Sequence, residues 1–148
     1  MKQTKYHNGF TLIEMLVVIT IIAILSALTL YTTLAQTAKL SRDAKRKADT
    51  ENIRAALEMY RSTNGYYPNG TMASLNAALV TGTTQYLRAI PTDPLSTQAY
   101  TYTPSPSGCN NVATLCSSYT ITANLETSGT GTQYSVNPLG SLVVTPTP

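Results

Sequence analysis

The chain has 148 residues, a length that supports one modest soluble domain beside a membrane helix. Ten Lys and Arg residues against seven Asp and Glu residues give a formal charge of +3 at pH 7, and the only histidine is His7. No Ser-His-Asp set, metal cluster or phosphate-binding glycine loop can be assembled from these residues, so we expect no enzyme, no metal site and no cofactor.

The chain begins with a short basic leader, residues 1–9, which ends in Gly9. An apolar run then extends from Phe10 to about Ala35, and its only charged residue is Glu14. As a helix this run would be ~39 Å long, enough to cross a hydrocarbon core of ~30 Å. Because a carboxylate in such a segment costs roughly 2.5–3.5 kcal/mol, we expect Glu14 to have a specific partner.

Three interpretations of the apolar run compete. A cleaved secretory signal has an apolar core of roughly 7–15 residues and a small-x-small cut site, but this run is longer and Thr33-Leu34-Ala35 is a poor site. An ordinary membrane anchor explains the length and leaves Glu14 unexplained. A cut between Gly9 and Phe10 would leave the whole apolar helix on the mature protein.

The third arrangement, Gly9 followed by Phe10-Thr11-Leu12-Ile13-Glu14 and an unbroken apolar helix, resembles the signal of the type IV pilin-like family. That family comprises the type IV pilins and the pseudopilins of type II secretion. The resemblance implies that a prepilin peptidase cuts after Gly9 and methylates the new amine of Phe10. It also implies that Glu14 is the carboxylate used in filament assembly.

The chemistry of Glu14 agrees with that implication. A cut at Gly9 would create a cationic amine on Phe10, about one helical turn from Glu14. If subunits stack with an axial stagger, the amine of one subunit neutralises Glu14 of the next, and a paired acid is tolerated where an unpaired one is costly. The alternative is an acid that simply reaches the membrane interface.

Beyond the apolar run, the helix is expected to continue to about Thr63, because no Gly or Pro occurs between Phe10 and Asn64. Asn64-Gly65, followed by Pro68, predicts its end. The predicted apolar stripe of this second half consists of Ala38, Leu40, Ala44, Ala48, Ile53, Ala56, Leu57 and Tyr60.

Basic residues are concentrated in this second half, with Lys39, Arg42 and Arg46 near one helix face. Acidic residues are interleaved with them and no aromatic platform accompanies them, so no specific nucleic acid is expected. We expect a solvated helix face, or contacts to lipid headgroups and neighbouring subunits. A count of positive charges would place the C-terminal region in the cytoplasm, whereas the processing signal and the cysteines favour the opposite orientation.

A connecting region follows the helix. Thr71 is predicted to cap a short helix, Met72–Val80. The segments NGYYP, Asn64–Pro68, and TQYLRAIPTDP, Thr84–Pro94, resemble the major pseudopilin of type II secretion and related pilins. Three apolar residues of the second segment also fit a hydrophobic plug against the helix: Tyr86, Leu87 and Ile90.

Four strands are predicted after Pro94 from alternation and turn residues, and an antiparallel sheet of three or four strands should pack on the second half of the helix. The fold class is therefore α+β, the lollipop shape that the resemblance also implies. The predicted strands are Ala99–Thr103, Ser118–Ala123, Gln133–Val136 and Ser141–Thr145.

Cys109 and Cys116 are the only cysteines and are predicted to form a disulfide in an extracytoplasmic domain, although free thiols are an alternative. Some major pseudopilins hold calcium through an acidic C-terminal loop. Here Ser128–Pro148 contains no acid, so the resemblance does not transfer that site, and a weak site of backbone carbonyls stays open.

The sequence thus predicts four parts: a leader (1–9), a transmembrane and assembly helix (10–36), its amphipathic continuation (37–63) and an extracytoplasmic loop-and-sheet region (64–148). The predicted function is a filament subunit of a type II secretion pseudopilus or a surface type IV pilus. Its expected partners are copies of itself, prepilin peptidase, an inner-membrane assembly platform and, before assembly, the lipid bilayer. The alternative is a monomeric membrane-anchored module that binds an extracellular target.

Overall fold

The computed structural model describes residues 9–128 and 131–144, with the backbone alone for residues 29–35. The chain divides into two compact units, Met1–Ala38 and Lys39–Pro148, and we call the second unit the head. The elements of each unit are described separately below.

Helix α1 comprises Leu12–Asn64, 53 residues without glycine or proline. The predicted continuous helix is therefore confirmed. At its C-terminal end, Gly65 adopts φ +83° and its N–H donates to the carbonyl of Arg61 at 2.7 Å. Such left-handed backbone after the last turn favours glycine, and it ends the helix where Asn64-Gly65 predicted it.

In the first unit, every described side chain from residue 9 to residue 28 is exposed, including all the large apolar ones. The apolar character surrounds the helix instead of forming one stripe. The side chains of residues 29–35 are not among those described. Among the described residues, no helix combines the length and the apolarity needed to cross a membrane.

The head contains one four-stranded sheet with the order β1-β2-β3-β4, and neighbouring strands are antiparallel. The predicted sheet is confirmed, with boundaries shifted by up to two residues. The strands are β1 (Thr101–Ser105), β2 (Ser118–Asn124), β3 (Gln133–Asn137) and β4 (Gly140–Val144).

One hydrophobic core joins the C-terminal part of α1 to the sheet. The predicted stripe is confirmed at Ile53, Ala56 and Leu57, which are fully buried. Alternating residues of β1 and β2 meet them, as the alternation of their sequences predicts. These sheet residues are Tyr102, Tyr119, Ile121 and Ala123.

The N-terminal part of the predicted stripe is wrong. Ala38, Leu40, Ala44 and Ala48 are exposed, and the buried positions between residues 43 and 50 are polar. They are Asp43, Arg46 and Thr50, which lie three and four residues apart on one helix face. This face is covered by charged partners from other segments, so apolar periodicity does not identify it.

The connecting region contains no regular α-helix. A 3-10 turn, Met72–Ser74, is followed by a π-helical turn, Asn76–Val80, and the Thr71 side chain makes no capping hydrogen bond. The predicted cap is therefore wrong. The hydroxyl of Ser74 instead donates to the carbonyls of Asn69 and Thr71 and so ties the turn to the residues before it.

Candidate functional site

Three of the predicted site residues, Gly9, Phe10 and Glu14, lie in the described N-terminal segment. Gly9 and Phe10 precede the helix, and the ring-bearing side chain of Phe10 is 75% exposed. The backbone N–H of Glu14 donates to the hydroxyl oxygen of Thr11 at 3.3 Å, so Thr11 is the N-cap of α1. Lys2, Lys5 and His7 of the predicted leader lie outside the described residues.

Thr11 and Glu14 have the spacing of a capping box, in which Ser or Thr at the cap is followed three residues later by Glu or Gln. The capping box was not predicted from the sequence, although the pattern T-x-x-E before an apolar run is its known signal. Glu14 is exposed and, among the described residues, forms no ion pair.

The head contains a buried charge cluster around Arg46, whose side chain is 0% exposed. Its Nε and Nη2 atoms donate to the two carboxylate oxygens of Asp93 at 2.7 and 2.9 Å. Its Nη1 atom donates to Asp43 at 2.8 Å and to Glu126 at 2.6 Å. Arg42 adds a two-point contact to Glu126, with Nε and Nη2 at 2.8 and 2.6 Å.

Asp43 connects this cluster to the backbone of the β2–β3 connection. Its oxygens accept the N–H groups of Glu126 at 3.0 and 3.1 Å and of Thr127 at 2.9 Å. The hydroxyl of Thr127 donates to it at 2.6 Å. We call Arg42, Asp43, Arg46, Asp93 and Glu126 together the Arg46 cluster. The predicted solvated face is thus wrong for Arg42 and Arg46, which bind acids of their own chain.

Hydrogen bonds shift the pKa values of the three acids in the same direction. The hydrogen bond from Arg42, with that from Arg46, lowers the pKa of Glu126 to about 2. Burial alone would raise the pKa of Asp43 and of Asp93. Hydrogen bonds from Thr127 to Asp43 and from Arg46 to Asp93 outweigh burial, so both pKa values lie below their usual range. All three acids are therefore carboxylates at neutral pH.

Tyrosine hydroxyls from the sheet side bind the remaining acids on the head portion of α1. Tyr119 of β2 donates to Glu58 at 3.1 Å, and Tyr134 of β3 donates to Glu51 at 2.9 Å. Tyr100, next to β1, donates to Asp49 at 2.8 Å. Burial is the main cause that raises the pKa of Tyr119 and of Tyr100, so these groups remain hydrogen-bond donors.

Cys109 and Cys116 form the expected disulfide, with their sulfur atoms 1.98 Å apart. The enclosed loop is also fixed by its own side chains. The Asn110 carboxamide oxygen accepts the backbone N–H groups of residues 112, 113 and 114. Asn111 joins the loop to the segment that follows α1 by donating to the carbonyl of Tyr67 at 2.8 Å.

The predicted plug is confirmed, because Tyr86, Leu87 and Ile90 pack against the hydrophobic core. An open groove of about 620 Å³ lies beside it, lined mainly by apolar side chains such as Met72 and Ile90. Asp93 is the only acid lining this groove, and both its oxygens are bound to Arg46. Among the described residues, no group of His, Cys, Asp and Glu side chains is arranged to hold a metal ion.

Comparisons with known proteins agree on one family. The prokaryotic N-terminal methylation motif matches residues 4–30, which include Gly9, Phe10 and Glu14. The family described as type II secretion system (T2SS), protein G, matches residues 33–132. No solved structure matches the chain significantly.

Several curated relatives are named type II secretion system core protein G. The one from Pectobacterium carotovorum subsp. carotovorum is 32% identical over 117 residues, covering 72% of this chain and 74% of the relative. The one from Pseudomonas aeruginosa is 35% identical over 102 residues, covering 62% and 70%. The one from Vibrio cholerae serotype O1 is 31% identical over 125 residues, covering 78% and 84%. The chain therefore belongs to the type II secretion system protein G family, the major pseudopilins of the type IV pilin-like class.

Proposed function

We propose that this chain is the structural subunit of a type II secretion pseudopilus, polymerised through its N-terminal helix. Prepilin peptidase cuts it between Gly9 and Phe10 and methylates the new amine of Phe10. Residues 1–9 are the leader, residues 10–36 the assembly helix, and residues 37–63 its amphipathic continuation. Residues 64–148 form the extracytoplasmic loop and sheet.

The observation that carries this proposal is the uncovered apolar surface of residues 9–28. A continuous apolar surface of this kind marks contact with a membrane or with other proteins. Lipid can cover it before assembly and copies of the same helix can cover it afterwards. The length of the apolar run in the sequence, Phe10–Ala35, supports residence in the bilayer before polymerisation.

Glu14 sets the register between neighbouring subunits in this proposal. Its carboxylate lies on the exposed apolar surface and forms no ion pair among the described residues. The amine that processing creates on Phe10 of the adjacent subunit supplies the missing charge. Because leaving such a carboxylate unpaired in apolar surroundings is costly, only staggers that pair it are favoured.

The proposed orientation places the N-terminus on the cytoplasmic side of the inner membrane and the head on the outer side. The disulfide between Cys109 and Cys116 supports this orientation, since disulfides persist in oxidising compartments outside the cytoplasm. An inner-membrane assembly platform would pass subunits from the bilayer into the filament. We assign the chain no catalytic role; the only acid that lines the groove beside the plug is already bound to Arg46.

Intact-mass measurement of the native protein tests the processing step. We expect a mass that corresponds to loss of residues 1–9 and gain of one methyl group. A native chain that retains Met1–Gly9 and forms no polymer would contradict the proposal and favour the monomeric binding module. Electron microscopy of cells would distinguish the pseudopilus from a surface pilus, because only the latter forms abundant external fibres at native expression.

Variants of the capping box test the role of Glu14. Glu14→Gln removes the charge and keeps a residue that suits the third position of a capping box. Thr11→Ala removes the cap and keeps the charge. We expect Glu14→Gln to reach the membrane and to form few or no filaments, whereas Thr11→Ala assembles. The reverse result would show that Glu14 acts through the helix start and would refute the pairing.

A further inference from the structure

The Arg46 cluster joins three separate parts of the head around one cation. Arg46 belongs to α1, Asp93 lies in the segment that precedes β1, and Glu126 lies in the β2–β3 connection. A bound Ca²⁺ ion produces the same kind of closure, because it gathers carboxylate and carbonyl oxygens from several segments. In this chain the cation that binds these segments together is the guanidinium of Arg46.

The β2–β3 connection does not suit a calcium ion. Its described part has one carboxylate, Glu126, and both oxygens of that group accept hydrogen bonds from arginines. The carbonyls of Thr132 and Ser128 accept hydrogen bonds within the loop at 2.8 Å each. Since Ca²⁺ takes about six to eight oxygen ligands, and two arginines would repel it here, the residues present do not suit the ion.

We propose that Arg46 closes the head in place of a divalent cation, so that the folding of the head requires no metal ion. Arginine suits this role because its planar fork offers donors in two directions at once. One edge of the guanidinium binds Asp93 at two points, and Nη1 binds Asp43 and Glu126. A lysine could supply the charge, but its donors share one nitrogen, so it could not match the two-point contact to Asp93.

Burial makes the arrangement depend on all of its members. The side chains of Arg46, Asp43 and Asp93 are 0%, 3% and 1% exposed. A buried charge that loses its partner is strongly destabilising, because neither water nor another group can replace the lost contact. The inference concerns the folding of the head and holds whether or not the chain polymerises.

Thermal unfolding of the full-length chain in detergent tests the proposal, with the near-ultraviolet circular dichroism of its tyrosines as the signal. We expect the wild type to have the same Tm in EDTA and in excess CaCl₂. Arg46→Met should lower the Tm by roughly 10–20 °C in both buffers. The Tm of Arg46→Lys should lie between those of the wild type and of Arg46→Met, because lysine keeps the charge and loses the planar fork.

Arg88→Met is the matched control, because Arg88 is exposed and lies outside the cluster. A wild-type Tm that falls in EDTA or rises in CaCl₂ would overturn the proposal. So would an Arg46→Met chain as stable as the Arg88→Met control. If Arg46→Met does not fold, an Arg46→Lys chain as stable as the wild type would show that the fork is dispensable, which also overturns the proposal.

Discussion

Residues 9–28 expose every large apolar side chain they carry, whereas the buried face of α1 between residues 43 and 50 consists of polar side chains. One stretch of the molecule thus has its apolar groups outside, and the other has its charges inside. The first arrangement is stable only where lipid or other subunits cover it. The second is stable by itself, because buried Arg46 meets Asp93 and Glu126 from other segments of the head and Asp43 from α1 itself.

This difference indicates a division of tasks. The apolar side chains of residues 9–28 are exposed in the single chain and need contacts from lipid or from other subunits. The head has a hydrophobic core of its own and pairs its buried charges internally, so subunits can enter or leave a filament without refolding it.

Removal of residues 1–38 should abolish polymerisation completely and leave the head folded. Every residue of the hydrophobic core and of the Arg46 cluster lies within residues 42–136, so no internal contact of either is lost. Light scattering after gel filtration should show a monomer, and near-ultraviolet circular dichroism should match that of the full chain. Continued polymerisation, or loss of the tyrosine signal, would contradict the division.

Acidification should destabilise the head strongly below about pH 4.5. The pKa values of Asp43, Asp93 and Glu126 lie below their usual range, and that of Glu126 falls from 4.5 to about 2. Their stabilisation is therefore present above pH 4.5 and lost as the pH falls toward 2. We expect a loss on the order of 3 kcal/mol in the free energy of unfolding, measured by urea denaturation, because two of these acids are deeply buried.

The variant Glu126→Gln serves as the comparison for this titration. It removes one of the three carboxylates whose pKa values are lowered, so its stability should change less steeply with pH over the same range. Equal slopes for the variant and the wild type would mean that acids outside the Arg46 cluster control the acid transition.

Replacement of both cysteines by serine should cost about 2 kcal/mol, the loop-entropy value for so short a ring. The hydrogen bonds of Asn110 and Asn111 keep part of the loop in place without the disulfide, which limits the loss. Urea denaturation should give the same stability for this variant and for wild type reduced with dithiothreitol. An unchanged stability would show that the asparagines alone fix the loop.

Tyr119→Phe should cost about 1 kcal/mol, because it removes one buried hydroxyl that donates to Glu58. The loss is small since Tyr67 continues to donate to the same carboxylate at 3.0 Å. Tyr66→Phe is the control, as no hydrogen bond of the Tyr66 hydroxyl is described. Equal stability of the two variants in urea would mean that the sheet tyrosines contribute through their rings alone.

The sequence predicted the elements whose signals are local. Ile53 and Leu57 recur at helical spacing, and Tyr119 and Ile121 alternate at strand spacing, so the core of the head was recognisable. The cap at Thr11 was recognisable too and was overlooked. β1 extends through Pro104, beyond the predicted end at Thr103, because an edge strand tolerates a residue without an N–H group.

The Arg46 cluster could not be predicted in the same way. Asp93 and Glu126 lie 47 and 80 residues from Arg46 along the chain, and a single sequence carries no signal for such a pairing. Interleaved charges on a helix usually indicate solvent exposure, so the pattern favoured the wrong face. Ala44 and Ala48 were wrongly assigned to the core, because small apolar residues fit either the buried or the exposed side of a helix.

The start of α1 at Leu12 has a consequence for the proposed maturation. The bond between Gly9 and Phe10 lies in the non-helical backbone before the cap at Thr11, and proteases attack accessible, non-helical chain most readily. The peptidase could therefore sever this bond without unwinding any turn of the helix. The new N-terminus at Phe10 would then lie one residue before the cap, and the hydrogen bond from Glu14 to Thr11 involves no residue that the cut removes.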